Sequence, residues 1–244
     1  MLLLAVPPDS VPALSAAASR TPSCIRENAW LCWGYVSTRS EDIQHALWEH
    51  VALSVLSLAL ALALAIPLAL LALRSRALRT GILSVLGIVY TVPSLALFVL
   101  LQPVFGVTQA TPVVIALIAY AQLLLVRNIL VGLEEVPADV LEAARGTGYG
   151  NLRLLMQIRM PLALPAILAG LRVTSVSTIA LLTVGGVIGQ GGLGQLLYDG
   201  FQNDFNPQVL TALVLIVALA LLADLLLLAT QRATTPWTRA RASR

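Results

Sequence analysis

The sequence offers few sets of residues that could carry out a reaction. All fifteen basic residues are Arg, and Lys is absent. A Walker A phosphate loop requires Lys beside Ser or Thr, and a Schiff-base enzyme requires a Lys amine, so both classes are excluded. The motifs G-x-S-x-G and H-E-x-x-H do not occur either. We therefore predict no catalytic residue, no metal and no directly bound cofactor, and we expect any ATP to be hydrolysed by a partner chain.

Two patterns resemble ligand sites but lack the context that such sites need. The segment 189–194 reads GQGGLG and matches the dinucleotide pattern G-x-G-x-x-G, which requires a strand before it and a helix after it. A long apolar stretch precedes it instead, so we interpret these glycines as places where backbones approach closely at a helix end. His45 and His50 are five positions apart, whereas two metal ligands on one helical face are spaced by about four.

The composition indicates that a membrane positions these residues. Of 244 residues, 58% are hydrophobic and only 11% are charged, which is about half the charge of a typical globular domain. The mean hydropathy is +0.88. These values predict an integral membrane protein and exclude a soluble enzyme, a nucleic-acid-binding protein and a disordered scaffold.

Five apolar stretches are long enough to cross a bilayer as helices, which takes about 20 residues each. The predicted spans cover 51–73, 81–101, 112–131, 162–188 and 207–230. The predicted fold class is therefore an all-α integral membrane protein, with five transmembrane helices in a transmembrane domain over 51–231. Residues 1–50 are predicted to form a tail with a short interfacial helix near 40–50, and residues 232–244 a basic tail.

The positions of Arg predict the orientation of the bundle. Ten Arg residues fall in the segments that are cytoplasmic when the N-terminus is outside, and the two external loops then contain none. Cytoplasmic segments carry such an excess of positive charge, so the N-terminus is predicted outside and the C-terminus inside. Cys24 and Cys32 then lie in the external tail, where they are either bridged by a disulfide or free.

Small and hydroxylated residues distinguish the second and fourth predicted spans from the more aliphatic first and last ones. Such residues mark helix contacts and water-lined paths rather than lipid-facing surfaces. We predict that these two spans line a translocation path, with the candidate residues Thr91, Pro93, Ser94, Arg172, Thr174, Ser177 and Thr178. Arg172 either anchors its helix end or lines a cavity, and Asp224 in the fifth span is either a paired group near the interface or a functional one.

The segment 132–161 is long for a membrane connector and is patterned as two short helices. Pro137 suits a first helical turn, and Gly148 favours the end of that helix. A second helix is predicted to begin at Asn151 and to stop at Pro161. The sequence therefore predicts a rigid cytoplasmic projection that docks a partner chain.

This segment carries a motif that fixes seven positions. Its residues follow the spacing E-A-A-x3-G-x9-I-x-L-P, with Met in place of the Leu, at Glu142, Ala143, Ala144, Gly148, Ile158, Met160 and Pro161. The motif resembles the EAA signature of binding-protein-dependent ABC importer permeases. The resemblance implies that 132–161 is a coupling loop, whose helix sits in a cleft of the ATPase subunit.

Further segments resemble the osmoprotectant permeases of that family, namely TVPSLALFVLL at 91–101, MPLALPAILAGLR at 160–172 and VIGQGGLGQLLYDG at 187–200. The resemblance implies a type I importer permease (MetI-like) fold in a bacterial plasma membrane. It also implies ATPase subunits, an external solute-binding protein and a second permease chain, identical or paralogous, as partners. The implied solutes are glycine betaine, carnitine, choline or proline.

Two alternatives stay open from the sequence. One is a permease of the same fold for another solute, such as methionine, a phosphonate or an alkanesulfonate. The other is a stand-alone secondary transporter or channel, a class that commonly shows internal repeats and membrane-embedded carboxylates. The sequence shows no internal repeat and one carboxylate, Asp224, within its predicted spans, which favours the importer.

Overall fold

The computed structural model describes residues 22–106 and 110–237, which form helices joined by turns without any β-strand. The start of the predicted external tail, up to residue 21, and the basic tail from 238 onward lie outside the described residues. The helices are α1 (Ser23–Arg26), α2 (Trp33–Thr38), α3 (Ser40–Ala72), α4 (Arg76–Thr91), α5 (Ser94–Phe105), α6 (Thr111–Glu134), α7 (Ala138–Gly146), α8 (Asn151–Leu154), α9 (Met160–Val184), α10 (Leu193–Gln202) and α11 (Asn206–Thr234). A π-helical turn (Leu155–Arg159) joins α8 to α9, and a 3-10 turn (Gly185–Ile188) follows α9.

The described helices supply the membrane crossings that the composition predicts. Four helical runs are long and apolar enough to span a bilayer: α3, α6, the run Asn151–Ile188, and α11. The pair α4 and α5 passes the same test together, although the two helices meet at 96°. The all-α membrane class is confirmed, and five crossings result when the bent pair counts as one.

The bundle is built around α6. In its most apolar stretch 67% of the residues are buried, against 11% in α11 at the periphery. Four Ala residues of α3 pack against this central helix, at 61, 65, 69 and 72. The spacing places the first three on one helical face, where small side chains let the two backbones approach.

The helix that contains the first predicted span, α3, is longer than predicted. The short interfacial helix predicted near 40–50 is instead continuous with the first span, in a helix of 33 residues, Ser40–Ala72, about 50 Å long. No Gly or Pro interrupts the chain between Ser40 and Ile66, and Ile43, Ala46 and His50 are buried against the rest of the bundle. Tertiary packing therefore extends the helix beyond the apolar stretch.

The second predicted span is broken rather than straight. Val92 has an extended backbone, and α5 begins directly after Pro93. A residue before proline is disfavoured in the α conformation, so the chain turns at this point. The hydroxyl of Tyr120 donates a hydrogen bond to the carbonyl of Val92, which supplies a partner to a backbone group that the helix end leaves without one.

The helix predicted to stop at Pro161 continues through it. The π-helical turn over Leu155–Arg159 ends two positions before the proline. Proline lacks an N–H and its ring clashes with the carbonyl four residues earlier, and the wider π turn accommodates both. The second half of the coupling loop and the fourth span consequently form one helical run, Asn151–Ile188, of 38 residues.

Candidate coupling loop and translocation path

The coupling loop has a small hydrophobic core of its own. Val136, Leu141 and Leu154 are buried there. Two motif residues, Ala144 and Ile158, pack against this core together with Tyr149. The loop is therefore a folded projection rather than a flexible connector.

The turn between the two helices of the loop depends on Gly148. Its φ is +88°, a conformation that favours glycine. The N–H of Gly148 donates to the carbonyl of Arg145 at 2.9 Å, and the N–H of Tyr149 donates to that of Ala144 at 3.1 Å. These bonds satisfy the last carbonyls of α7. A Cβ on Gly148 would meet nothing of this chain within 4 Å, so the space beside the turn is open.

Two further motif residues lie on the outer surface of the coupling loop. Glu142 and Ala143 are exposed. On the following helical run, Leu152 is 73% exposed and Met156 is 58% exposed. Exposed large apolar side chains beside small ones form a surface suited to a protein partner. Met160 and Pro161 lie where this run enters α9.

The candidate path residues fall into three environments, of which the first two are the bend and the buried interior. Thr91 and Pro93 are exposed at the bend between α4 and α5, and Ser94 is half-buried there. Thr174 and Thr178 are buried within the chain. The hydroxyl of Thr174 donates to the carbonyl of Gly170 at 2.8 Å. The structure does not bring the two groups together in one site.

Arg172 and Ser177 face an open recess instead. It measures about 410 Å³ and is lined by Ala169, Arg172, Val173, Val176, Ser177 and Asp224. Arg172 donates two hydrogen bonds to Asp224, from Nε to Oδ1 and from Nη2 to Oδ2, each 2.9 Å long. The sequence signals only that Asp224 and two Arg residues, at 127 and 172, lie within predicted spans, and it does not indicate which Arg pairs with Asp224.

The glycine-rich segment, residues 185–194, directly follows α9. A Cβ on Gly186 would overlap the carbonyl group of Gly194, and one on Gly191 would lie 2.7 Å from the carbonyl oxygen of Leu182. Gly192 likewise abuts the backbone of α3 at Ala46. These glycines allow close backbone approach, as the sequence indicated. Among the described residues, no group of three or more His, Cys, Asp or Glu is placed to hold a metal ion.

The cap, residues 22–39, covers the same end of the bundle. Cys24 and Cys32 form a disulfide, with Cα atoms 5.4 Å apart. Tyr35 packs edge-to-face on Phe205, with ring centroids 5.3 Å apart, and burial raises the pKa of its phenol. Asn28 accepts a hydrogen bond from the N–H of Asn206 at 2.8 Å. The cap is thereby fastened to the start of α11.

Residues 52–239 match the model of the family described as "Binding-protein-dependent transport system inner membrane component". The chain belongs to this family. It is a membrane-spanning permease subunit of an importer, and membership implies an ATPase and a solute-binding protein as partners.

The chain is also similar in sequence to individual transport permeases. The chain is 33% identical over 181 residues to the carnitine transport permease protein OpuCB of Listeria monocytogenes, covering 71% of this chain and 82% of the relative. It is 34% identical over 192 residues to the osmoprotectant import permease protein OsmW of Salmonella typhimurium, covering 77% and 89%. It is also 41% identical over 147 residues to the ergothioneine transport permease/ergothioneine binding protein EgtU of Helicobacter pylori, covering 60% of this chain and 26% of that longer protein.

Solved structures support the fold. The permease architecture superposes on a chain of the MetNI methionine ABC transporter in an inward-facing conformation, with a TM-score of 0.73 and 24% identity over 79% of this chain and 96% of that one. A chain of an amino acid ABC transporter crystallised with histidines gives a TM-score of 0.70 and 19% identity, covering 83% of this chain and 99% of that one.

Proposed function

We propose that this permease subunit serves an ATP-driven importer for osmoprotectants such as glycine betaine, carnitine, choline or proline. The observation that carries the proposal is the 33% identity to a carnitine permease over 82% of its length. The 34% identity to an osmoprotectant permease over 89% of its length supports the same class. The chain itself catalyses no reaction, and a partner ATPase hydrolyses the ATP.

Coupling in this proposal passes through the coupling loop. The ATPase binds the exposed face around Glu142 and Ala143, with Leu152 and Met156 beside it. Because the run Asn151–Ile188 is continuous, a displacement of the loop moves a helix about 57 Å long. That helix carries Arg172 and Ser177 and ends at the glycine-rich segment, so both ends of a path respond to one movement.

The path in this proposal lies between two permease chains, identical or paralogous. Arg172 and Ser177 face it from α9, and Thr91, Pro93 and Ser94 flank it at the bend. Thr174 and Thr178 support α9 from within the chain, where both are buried. Aromatic residues make up only 5% of the chain, and a quaternary ammonium is usually held by aromatic rings. We therefore assign tight selection to the external binding protein.

Uptake by proteoliposomes tests the proposal. The permease is reconstituted with its ATPase and binding protein and challenged with radiolabelled glycine betaine, carnitine, choline, proline and methionine. We expect ATP-dependent uptake of at least one of the first four and none of methionine. Methionine uptake alone indicates the same fold with another solute. Uptake that persists without the ATPase indicates a secondary transporter.

Ergothioneine is a second candidate solute. The chain is 41% identical to a protein that transports and binds it, although over a shorter region than the osmoprotectant permeases match. Ergothioneine shares a quaternary ammonium and a carboxylate with carnitine. It belongs in the same uptake panel, and ATP-dependent uptake of ergothioneine alone would replace the osmoprotectant assignment.

The orientation is tested by labelling from one side. We propose that the cap lies outside and the coupling loop in the cytoplasm of a bacterial plasma membrane. Leu31 is 84% exposed and Leu152 is 73% exposed, so a Cys at either site is accessible. A membrane-impermeant thiol reagent added to intact cells is expected to label Leu31→Cys but not Leu152→Cys. The reverse pattern overturns this topology.

A further inference from the structure

The side chains of Arg172 and Asp224 hydrogen-bond to each other and are also partly exposed. Its two hydrogen bonds are each 2.9 Å long and parallel, the strongest arrangement of a guanidinium and a carboxylate. Yet the two side chains keep 26% and 31% of their surface exposed, in the open recess of about 410 Å³. A ligand entering the recess can reach both charges.

The depth of the pair indicates what the recess faces. Asp224 lies about 9 Å along α11 from the end of the predicted span at residue 230, inside the apolar stretch but towards one end of it. Ionisable groups at such depth face protein or water rather than lipid. The apolar rim of the recess includes Val173, which is 58% exposed. A face that combines accessible charges with exposed aliphatic side chains fits a water-filled path.

From these observations we propose that Arg172 and Asp224 form a contact site for zwitterionic solutes in the path. This inference rests on the proposed transport function. In the empty state the two charges neutralise each other, which limits the cost of holding them in the membrane. A solute that carries a carboxylate and a quaternary ammonium replaces each half of the pair. Its carboxylate accepts the two N–H groups of Arg172, and its ammonium lies against the carboxylate of Asp224.

The proposed site distinguishes solutes by whether they carry a carboxylate. A quaternary ammonium has no N–H to donate, so its contact with Asp224 is electrostatic alone. The carboxylate gains two charge-assisted hydrogen bonds from Arg172. Because the solute must first separate the resident pair, its net affinity is low, and it leaves the path readily. Zwitterions should therefore depend on Arg172 much more than choline, which carries a hydroxyl in place of the carboxylate.

The test compares glycine betaine with choline in proteoliposomes that contain the complete transporter. Arg172→Gln is expected to lower the initial rate of glycine betaine uptake about tenfold, and that of choline by less than about threefold. Arg127→Gln, an exposed position on α6 outside the recess, should leave the ratio of the two rates unchanged. Equal losses for both solutes, or no loss, in an assembled Arg172→Gln transporter overturn the inference.

A neutral pair separates solute contact from a structural role. Arg172→Gln combined with Asp224→Asn removes both charges but keeps two amide side chains that can hydrogen-bond between α9 and α11. We expect this variant to assemble like the wild type, as judged by size-exclusion chromatography, while its glycine betaine uptake stays about tenfold or more below wild type. Wild-type uptake of glycine betaine by the assembled neutral pair overturns the inference.

Uptake by the wild-type transporter distinguishes a failure of the proposed transport function from a failure of the proposed contact site. If the wild type takes up none of glycine betaine, carnitine, choline and proline, the proposed osmoprotectant function is refuted. Uptake of both glycine betaine and choline, with both lowered equally by Arg172→Gln, refutes only the contact site. If the wild type transports carnitine or proline instead of glycine betaine, that solute takes its place in the same variants. Uptake of choline alone by the wild type refutes a contact site for zwitterions.

Discussion

The imidazole of His50 bridges two backbone carbonyls from distant parts of the chain. Its Nδ1 lies 2.9 Å from the carbonyl oxygen of Gly191, and its Nε2 lies 3.2 Å from that of Ile179. The side chain has no exposed surface. His50 therefore joins α3 to the glycine-rich segment and to α9, at the point where the fourth span ends.

Replacing His50 by Leu should destabilise this junction. Leu fills a similar volume but donates no hydrogen bond to either carbonyl. Both carbonyls keep another donor, the N–H of Gly194 and the hydroxyl of Thr183, so the loss is that of a single hydrogen bond, about 0.5–1.5 kcal/mol. We expect a lower thermal unfolding midpoint of the purified protein in detergent. His45 lies in the same helix with an exposed side chain, so His45→Leu should leave the midpoint unchanged. Equal midpoints for the two variants would contradict a joining role for His50.

The glycine-rich segment should tolerate no added methyl group at Gly186. The methyl of Gly186→Ala would overlap the backbone of Gly194, and backbone cannot move aside as a flexible side chain can. We expect loss of the monodisperse peak in size-exclusion chromatography. Gly87 has nothing within 4 Å of an added Cβ, and Ala favours a helix by about 1 kcal/mol over Gly. Gly87→Ala should therefore assemble at least as well as wild type.

Proline positions show how far local sequence determines this fold. Pro67 lies within the continuous helix α3, Pro161 follows a π-helical turn, and Pro93 lies at a bend of 96°. The same residue type gives three outcomes because its surroundings differ. At the bend, Tyr120 supplies a partner to the carbonyl of Val92 from 28 positions away. Hydropathy predicts where the chain crosses the membrane, but such distant partners decide where a helix breaks.

The candidate functional residues also differ in how far local sequence predicts their roles. The end of α7 follows from residues close in sequence, so Gly148 predicts the turn of the coupling loop. The recess depends on Arg172 and Asp224, which are 52 positions apart. A charged residue within a predicted span shows only that holding it in the membrane costs free energy. Whether the two side chains pair depends on the packing of α9 against α11. For the same reason, the role of His50 could not be predicted from its spacing to His45.

Removing the hydroxyl of Tyr120 should weaken the bend. In Tyr120→Phe the carbonyl of Val92 loses its side-chain partner, at a cost of about 1–3 kcal/mol, while the ring keeps its edge-to-face contact with Tyr90. We expect a lower thermal midpoint. The matched control is Tyr90→Phe, since the side chain of Tyr90 is 42% exposed. An unchanged midpoint in Tyr120→Phe would mean that the bend needs no support from this hydrogen bond.

The disulfide of the cap is open to direct measurement. Intact-mass spectrometry without reductant should give a mass about 2 Da below that of the reduced protein. In the chain-entropy picture, closing so short a loop contributes about 2.5 kcal/mol to the order of the cap. Cys24→Ser with Cys32→Ser should therefore increase protease cleavage within residues 22–39 while the bundle stays intact. Two alkylatable thiols in the untreated protein would exclude the bridge.

The turn at Gly148 provides the most direct test of coupling. Asp at this position places a side chain in a left-handed conformation and adds a charge, at a backbone cost of about 1–2 kcal/mol. An added Cβ meets nothing of this chain within 4 Å, so the bundle should still insert and purify. We expect Gly148→Asp to abolish ATP-driven uptake in proteoliposomes, because the new charge lies on the surface that we propose binds the ATPase.

Gly146 is the matched control for this substitution, because it also has open space beside it but ends α7 without a positive φ. Gly146→Ala should therefore insert, purify and transport like the wild type. ATPase activity measured in the same vesicles shows where the effect arises. If Gly148→Asp lowers uptake because the loop no longer docks, solute delivered by the binding protein should also fail to stimulate ATP hydrolysis. Normal uptake by an inserted Gly148→Asp permease would remove the coupling role from this turn.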